Sequence, residues 1–309
     1  MASRHRRVPP GWRKRCVAQA DPRRTERPPA HGKVISGFFT TRPHRGRRLC
    51  APHGDNETVK SNALASMEVN LSESDGVRYL HFGTEWVQGS MRIKAPFDIE
   101  LEYVQRMMAW LLFMPAGSVA GRHAMQLGLG AGSITKFCYK KLRMTCTTVE
   151  INPRVADVCR AWMRLPLEDE RLRIVIGDAA REIRDPQWLG SVDALAVDLY
   201  DDEAAAPVLD SADFYADCRR LLTDDGCMTV NLFGRTASFD RSVDRIAEAF
   251  GARAVWVFKP TREGNAVVLA QRTPERPKRA ALEAQAHVIE ARWDLPARKW
   301  LKVFKAFEK

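Results

Sequence analysis

The spacing of hydrophobic and polar positions changes several times along the chain. Between residues 67 and 93, short apolar and polar alternations are separated by the turn dipeptides Asp75-Gly76 and Gly89-Ser90. Alternation interrupted by tight turns predicts a small antiparallel β-region. Residues 98–114 then carry apolar side chains at helical spacing and stop at Pro115, which predicts a helix.

From residue 123 onwards, apolar runs of strand length alternate with segments of helical period. The predicted strands cover residues 123–127, 144–149, 172–176, 194–197, 227–232, 254–258 and 266–270. The predicted helices cover residues 133–142, 153–165, 211–222 and 239–250. Such alternation is typical of a mainly parallel sheet with helices on both faces. The predicted fold class is therefore α/β, with a Rossmann-like, methyltransferase-type sheet whose last two strands form an antiparallel hairpin.

This pattern divides the chain into four regions. Residues 1–60 form a basic leader that is expected to be disordered, residues 61–97 form the small β-region, and residues 98–272 form the α/β domain. Residues 273–309 are predicted to be a charged linker followed by an amphipathic helix, because apolar side chains recur between Trp293 and Phe307. We expect that helix to pack on the domain or on a partner.

The formal net charge of +11 belongs to the leader. Residues 1–50 contain 14 Lys or Arg and 2 Asp or Glu, a balance of +12, so the other residues sum to −1. A nucleic-acid-binding domain would have a basic surface of its own, so nucleic acid is a candidate partner only through the Arg-rich leader. The Pro-rich composition favours disorder. Two other interpretations stay open, namely a translated stretch ahead of a later start at Met67 and a transit peptide, which the prolines disfavour.

The sequence indicates neither a membrane segment nor a metal site. No apolar run reaches the roughly 18 residues of a membrane-spanning helix. The seven cysteines are an odd number and contain no Cys-x-x-Cys pair. This usage is typical of reduced, mostly buried thiols in a cytoplasmic protein, and it offers no zinc-type spacing. We therefore predict a cytoplasmic protein without a metal or a permanently bound cofactor.

Glycines or acidic residues stand directly after four of the predicted strands. Gly128-Leu-Gly-Ala-Gly132 follows the first, Glu150 the second, Asp178 the third and Asp198 the fourth. Ligands of open α/β sheets bind at the carboxyl ends of the strands. Glycines let the backbone approach a ligand and expose amides at a helix N-terminus, and a carboxylate about 20 residues further on accepts ribose hydroxyls. Together these residues predict a nucleoside-binding site.

The motifs around these strand ends extend beyond single residues. They are Gly128-Leu-Gly-Ala-Gly132, Val149-Glu-Ile-Asn-Pro153, Ile176-Gly-Asp178, Val197-Asp198-Leu-Tyr-Asp201 and Asp213-Phe-Tyr215. This set resembles the spermidine synthase (polyamine aminopropyltransferase) family over about residues 67–272, including the small β-region. The resemblance implies a homodimeric transferase of polyamine biosynthesis. It would move an aminopropyl group from decarboxylated S-adenosylmethionine, its co-substrate, to a small-molecule amine.

The resemblance also implies roles for single residues. The thioadenosine part of the co-substrate would be held by Gly128, Gly130, Gly132 and Glu150, and its adenine by Asp178 and Ala179. Asp198 would match the proton acceptor of the family, and Asp201 the second acid, which holds the amine. An ammonium must lose a proton before its lone pair can attack carbon, and a carboxylate can accept that proton. Gln88 loosely matches a substrate-contacting Gln of the family.

Three features depart from the family pattern. Ala131 stands where the family's glycine turn has Asp, Val104-Gln105 stands where it has His-Glu, and the segment after Asp201 lacks the family's Asp-Pro-x-Gly-Pro. Two further hypotheses therefore stay open, a methyltransferase that uses S-adenosylmethionine and a non-catalytic nucleoside-binding relative. Ala131 mildly favours the methyltransferase, because an acid there would repel the carboxyl group of S-adenosylmethionine. The two acids of Asp-x-x-Asp favour an amine substrate.

Overall fold

The small β-region lies at the start of the described chain. The computed structural model describes residues 65–83, 86–200, 209–233 and 237–308, so the leader and Asp201 lie outside the described residues. Strands β1 (Asn70–Ser74), β2 (Val77–His81) and β3 (Gly89–Arg92) form an antiparallel sheet in that order. Asp75 and Gly76 both have positive φ, at 52° and 77°, as a two-residue hairpin turn that follows strand twist requires. The predicted β-region is confirmed.

A sheet of eight strands forms the core of the described part of the chain. The strands are β4 (His123–Leu127), β5 (Thr145–Glu150), β6 (Leu172–Ile176), β7 (Val192–Val197), β8 (Leu222–Phe233), β9 (Val255–Phe258), β10 (Asn265–Gln271) and β11 (Phe304–Ala306). Their order is β11-β9-β10-β8-β7-β4-β5-β6. Strands β6, β5, β4, β7 and β8 pair in parallel, whereas β10 pairs antiparallel with both β8 and β9. The α/β fold class is confirmed, and the strand order reverses between β4 and β7, where such sheets bind ligands.

Helices connect these strands and cover both faces of the sheet. They are α1 (Glu102–Arg106), α2 (Ser133–Lys140), α3 (Pro153–Trp162), α4 (Ala179–Glu182), α5 (Ala212–Leu221), α6 (Ala237–Phe250), α7 (Arg279–Trp293) and α8 (Ala297–Trp300). In β7, Ala194 and Ala196 pack into one apolar cluster and Leu195 and Val197 into the other, because successive strand residues face opposite ways. No helix in the described part of the chain has the length and apolar composition to cross a membrane.

The helix predicted over residues 98–114 is wrong in length. The chain forms the short α1 and then a 3-10 turn over Ala109–Leu112. The spacing of apolar residues predicted too long a helix because Met107 to Leu112 are all buried. A segment without a polar face has apolar residues at helical spacing whatever its conformation. Side chains from elsewhere satisfy its carbonyl groups: the Thr229 hydroxyl donates to Met107, and the Gln285 amide donates to Leu111.

The C-terminal region also differs from its prediction. The long helix α7 occupies the stretch expected to be a linker, and its C-cap is Asp294, whose φ of 56° is left-handed. The residues expected to form the amphipathic helix instead form α8 and then β11, which pairs antiparallel with β9. Aromatic packing explains this choice, because Phe304 stacks on Trp256 with ring centroids 5.1 Å apart and also contacts Phe258.

The turn between β4 and α2 brings two strands' ends into close contact. Gly128, Gly130 and Gly132 have φ of 84°, 51° and 67°, a region that side chains disfavour. A Cβ on Gly128 would lie 2.3 Å from the backbone carbonyl oxygen of Asp198. Only a glycine therefore lets the end of β4 lie against the end of β7 in this way.

Phe304→Ala is expected to destabilise the fold by about 3–5 kcal/mol, because it removes a buried aromatic ring from the core. Urea unfolding monitored by circular dichroism measures the change. Lys305→Ala, at the exposed neighbouring position of the same strand, is the control and should leave the free energy of unfolding nearly unchanged. Equal losses from both variants would contradict the role given to β11 packing.

Gly128→Ala is expected to cost about 1–3 kcal/mol more than Gly121→Ala, because it adds a steric clash to the strain of positive φ. Gly121 has a similar φ of 80°, but a Cβ there would meet nothing within 4 Å. The pair thus separates backbone strain from the contact with Asp198. Urea midpoints and slopes for both variants test this, and an indistinguishable pair would refute the close contact.

Candidate active site

Glu150 ties the end of β5 to the glycine turn. Its side chain is buried, and its two carboxylate oxygens accept hydrogen bonds from the backbone amides of Leu129 (2.8 Å) and Asn152 (2.9 Å). Burial raises the pKa of Glu150, while these amide hydrogen bonds partly offset the shift. A carboxylate has about four lone-pair sites, so Glu150 can accept further hydrogen bonds from a ligand.

Asp178 and Ala179 lie at the junction of β6 and α4. The Asp178 side chain accepts a hydrogen bond from the backbone amide of Ala180 at 2.8 Å and thereby caps α4. Ala179 is buried beneath this cap. The carboxyl ends of β5 and β6 are adjacent, since Glu150 pairs with Ile176. The structure thus places Asp178 on the same edge of the sheet as Glu150.

Asp198 follows β7 and is held at both carboxylate oxygens. The Asn231 side-chain amide donates to Oδ1 at 2.9 Å, and the Tyr103 hydroxyl donates to Oδ2 at 3.2 Å. Burial raises the pKa of Asp198, and the two hydrogen bonds act against that shift. Burial and the neighbouring carboxylate also raise the pKa of Tyr103, so this hydroxyl stays protonated and donates.

Further polar groups join this arrangement from β8 and β10. The Asn265 side-chain amide donates to Oδ1 of Asn231 at 3.2 Å, and the Tyr200 hydroxyl donates to the Asn231 backbone carbonyl at 2.9 Å. Sequence reasoning gave Asn231, Asn265 and Tyr103 no role at the site. Asn231 lies near the carboxyl end of β8, so a search of all strand ends for polar residues would have found it. Asn265 begins an antiparallel strand, to which that rule does not apply.

A small cavity beside Asp198 joins the β-region to the sheet. It is lined by Gln88, Gly89, Tyr103, Val104, Gln126, Leu129, Gly130, Ala131, Ser133, Ile134 and Asp198. Asp198 supplies the only carboxylate among these described residues. The backbone of the β-region approaches the glycine turn here, since a Cβ on Gly89 would lie 2.7 Å from that of Ala131. Gln88 and Asp198 line the same cavity, and the substrate contact of Gln88 stays a prediction.

The arrangement offers polar groups for a ligand with hydroxyl groups and a carboxylate for a cation. Backbone amides at the start of α2 and the Glu150 carboxylate suit hydroxyl groups, and the half-buried Asp198 suits an amine. Asp201 lies outside the described residues, so its role stays a prediction. Within the described ranges, no three His, Cys, Asp or Glu side chains are grouped so that they can hold a metal ion.

Comparison with known proteins adds independent information. The family model of the spermine/spermidine synthase domain matches residues 117–261. Polyamine aminopropyltransferases of Chromobacterium violaceum and of Neisseria meningitidis serogroup A are each 31% identical to the chain, over 79% and 77% of its length and 91% and 89% of theirs.

Solved structures share the fold. A probable spermidine synthase from Corynebacterium glutamicum ATCC 13032 superposes with a TM-score of 0.60 at 16% identity, over 79% of this chain and 93% of that one. Human methyltransferase-like protein 13, in complex with SAH, superposes with a TM-score of 0.57 at 20% identity, over 63% and 93% of the two chains. At these identities the likeness concerns the fold alone. With the sequence relatives, the motifs and the described site taken together, the chain belongs to the polyamine aminopropyltransferase (spermidine synthase) family.

Proposed function

We propose that the protein is a transferase that moves the aminopropyl group of decarboxylated S-adenosylmethionine to an amine in polyamine biosynthesis. The position of Asp198 carries this proposal: it lies against the glycine turn and is held by Tyr103 and Asn231. The curated relatives, named polyamine aminopropyltransferases, support it. The homodimer and the cytoplasmic location stay predictions.

The nucleoside would occupy the carboxyl ends of β4, β5 and β6. The glycine turn, Gly128 to Gly132, would offer backbone amides, and Glu150 would accept hydrogen bonds from the ribose hydroxyls. Asp178 and Ala179 would contact the adenine. Human methyltransferase-like protein 13, which shares the fold, was solved in complex with SAH, and this supports an adenosyl-type co-substrate. Open α/β sheets bind their ligands at this edge. The transferred group would then point towards Asp198.

In the proposed reaction Asp198 accepts a proton from the ammonium of the acceptor. The freed nitrogen lone pair attacks the methylene carbon beside the sulfonium, a C–N bond forms and the C–S bond breaks. The bonding electrons pass to sulfur, which leaves as neutral methylthioadenosine. Most of the rate gain would come from alignment of the two substrates, and Asp201 would hold the remaining positive charge of the amine.

Asp198→Asn is expected to lower kcat/KM roughly 10²–10⁴-fold, because it removes the proton acceptor. The assay incubates purified protein with decarboxylated S-adenosylmethionine or S-adenosylmethionine and a panel of amines, and measures methylthioadenosine and S-adenosylhomocysteine. Glu170→Gln, at an exposed position, is the control. Production of S-adenosylhomocysteine alone by the wild type would instead support a methyltransferase, and binding without any product a non-catalytic relative.

The pH dependence supplies a second test. Asp198 acts in its deprotonated form, so activity is expected to fall as the pH drops through its pKa. Because burial raises that pKa, the acidic limb of kcat/KM should lie at higher pH than for an exposed aspartate. A limb at or below the ordinary aspartate range would argue against Asp198 as the base.

A further inference from the structure

Asn231 and Asn265 form a short relay that ends at Asp198. We infer that Asn231 is a positioning residue for the Asp198 carboxylate, and that Asn265 fixes the orientation of the Asn231 amide. The inference deepens the proposed function, on which its catalytic consequence rests. The hydrogen-bonded relay itself, from the Asn265 amide through the Asn231 amide to the Asp198 carboxylate, does not depend on the proposed function.

The register of the sheet makes this relay possible. In the β8–β10 ladder Asn231 pairs with Val267, and Asn265 pairs with Phe233. Asn231 and Asn265 are therefore diagonal neighbours on the sheet, a separation that side chains of this length bridge. Asn231 is 4% exposed, so water competes little for its amide.

Hydrogen-bond chemistry gives the relay a direction. An asparagine amide has a donor end and an acceptor end. Because Asn265 donates to Oδ1 of Asn231 at 3.2 Å, the NH₂ group of Asn231 faces Asp198 at 2.9 Å. The opposite orientation would place Oδ1 against the carboxylate, where lone pairs repel. Asn265 thus selects the orientation in which Asn231 stabilises the charged form of Asp198.

The other groups around Asp198 do not replace this donor. Tyr103 donates to the second oxygen, Oδ2, and Tyr200 reaches the backbone carbonyl of Asn231 instead. Within the described residues, the other polar side chains that line the cavity with Asp198 are Gln88, Gln126 and Ser133, and none of these three is titratable. Loss of Asn231 would leave Oδ1 without its protein donor.

A double-mutant cycle with Asn231→Ala and Asn265→Ala tests the relay. Asn231→Ala is expected to lower kcat/KM by roughly tenfold or more, the factor expected for a lost hydrogen bond to a charged group, and to move the acidic limb of the pH profile to higher pH. Asn265→Ala should act in the same direction but less. The double variant should match Asn231→Ala, because Asn265 acts only through Asn231. Additive effects, or unchanged pH profiles, would overturn the inference.

A readout independent of activity separates this inference from the proposed function. ¹³C NMR titration of the Asp198 carboxyl, assigned by the resonance lost in Asp198→Asn, should give a higher pKa in Asn231→Ala and in Asn231→Leu, which fills the site with similar volume. Thr229→Val is the control: it removes a buried hydrogen bond from the same strand to Met107, not to Asp198. It should leave the titration unchanged. An inactive wild type would refute the aminopropyl transfer, whereas an unshifted carboxyl titration would refute the relay.

Discussion

The contact between the ends of β4 and β7 is the constraint on which the site depends. The two strands are parallel neighbours on either side of the point where the strand order reverses. Their chains leave the sheet side by side, and the carbonyl of Asp198 occupies the space in which a side chain at position 128 would begin. The absence of a Cβ at Gly128 therefore fixes how close the glycine turn lies to Asp198.

Burial disfavours the charged forms of the Glu150 and Asp198 carboxylates, and the fold offsets this free-energy cost in two different ways. Glu150 takes its hydrogen bonds from backbone amides of Leu129 and Asn152, which are fixed by the turn and the start of α3. Asp198 takes its hydrogen bonds from side chains, Tyr103 and Asn231. In both cases hydrogen bonds to the charged form favour that form, but only the side-chain donors of Asp198 can be removed by substitution.

Sequence reasoning located those parts of the fold and site that follow a local rule. Periodicity gave the alternation of strands and helices, and the strand-end rule found Glu150, Asp178 and Asp198. Periodicity failed over residues 98–114, because a segment buried on every side has apolar residues at every spacing. It failed again near Phe304, where pairing with a distant strand decides between helix and strand. Sequence reasoning missed Asn265 for the same reason, since its place at the site depends on the β8–β10 register.

Two of the departures from the family pattern, Ala131 and Val104, line the cavity where the β-region meets the glycine turn. Ala131 and Val104 are both buried, and the contact of Gly89 with Ala131 leaves no room for a Cβ at position 89. Positions 89 and 131 are thus sterically coupled, and a longer side chain at either one would displace backbone that also carries Gly130. The described cavity lining then keeps a single carboxylate, so in the proposed reaction Asp198 would meet the positive charge of a bound amine on this side of the site. A base that must also serve as the counter-ion gains from a fixed orientation, which is what the donors from α1 and β8 provide.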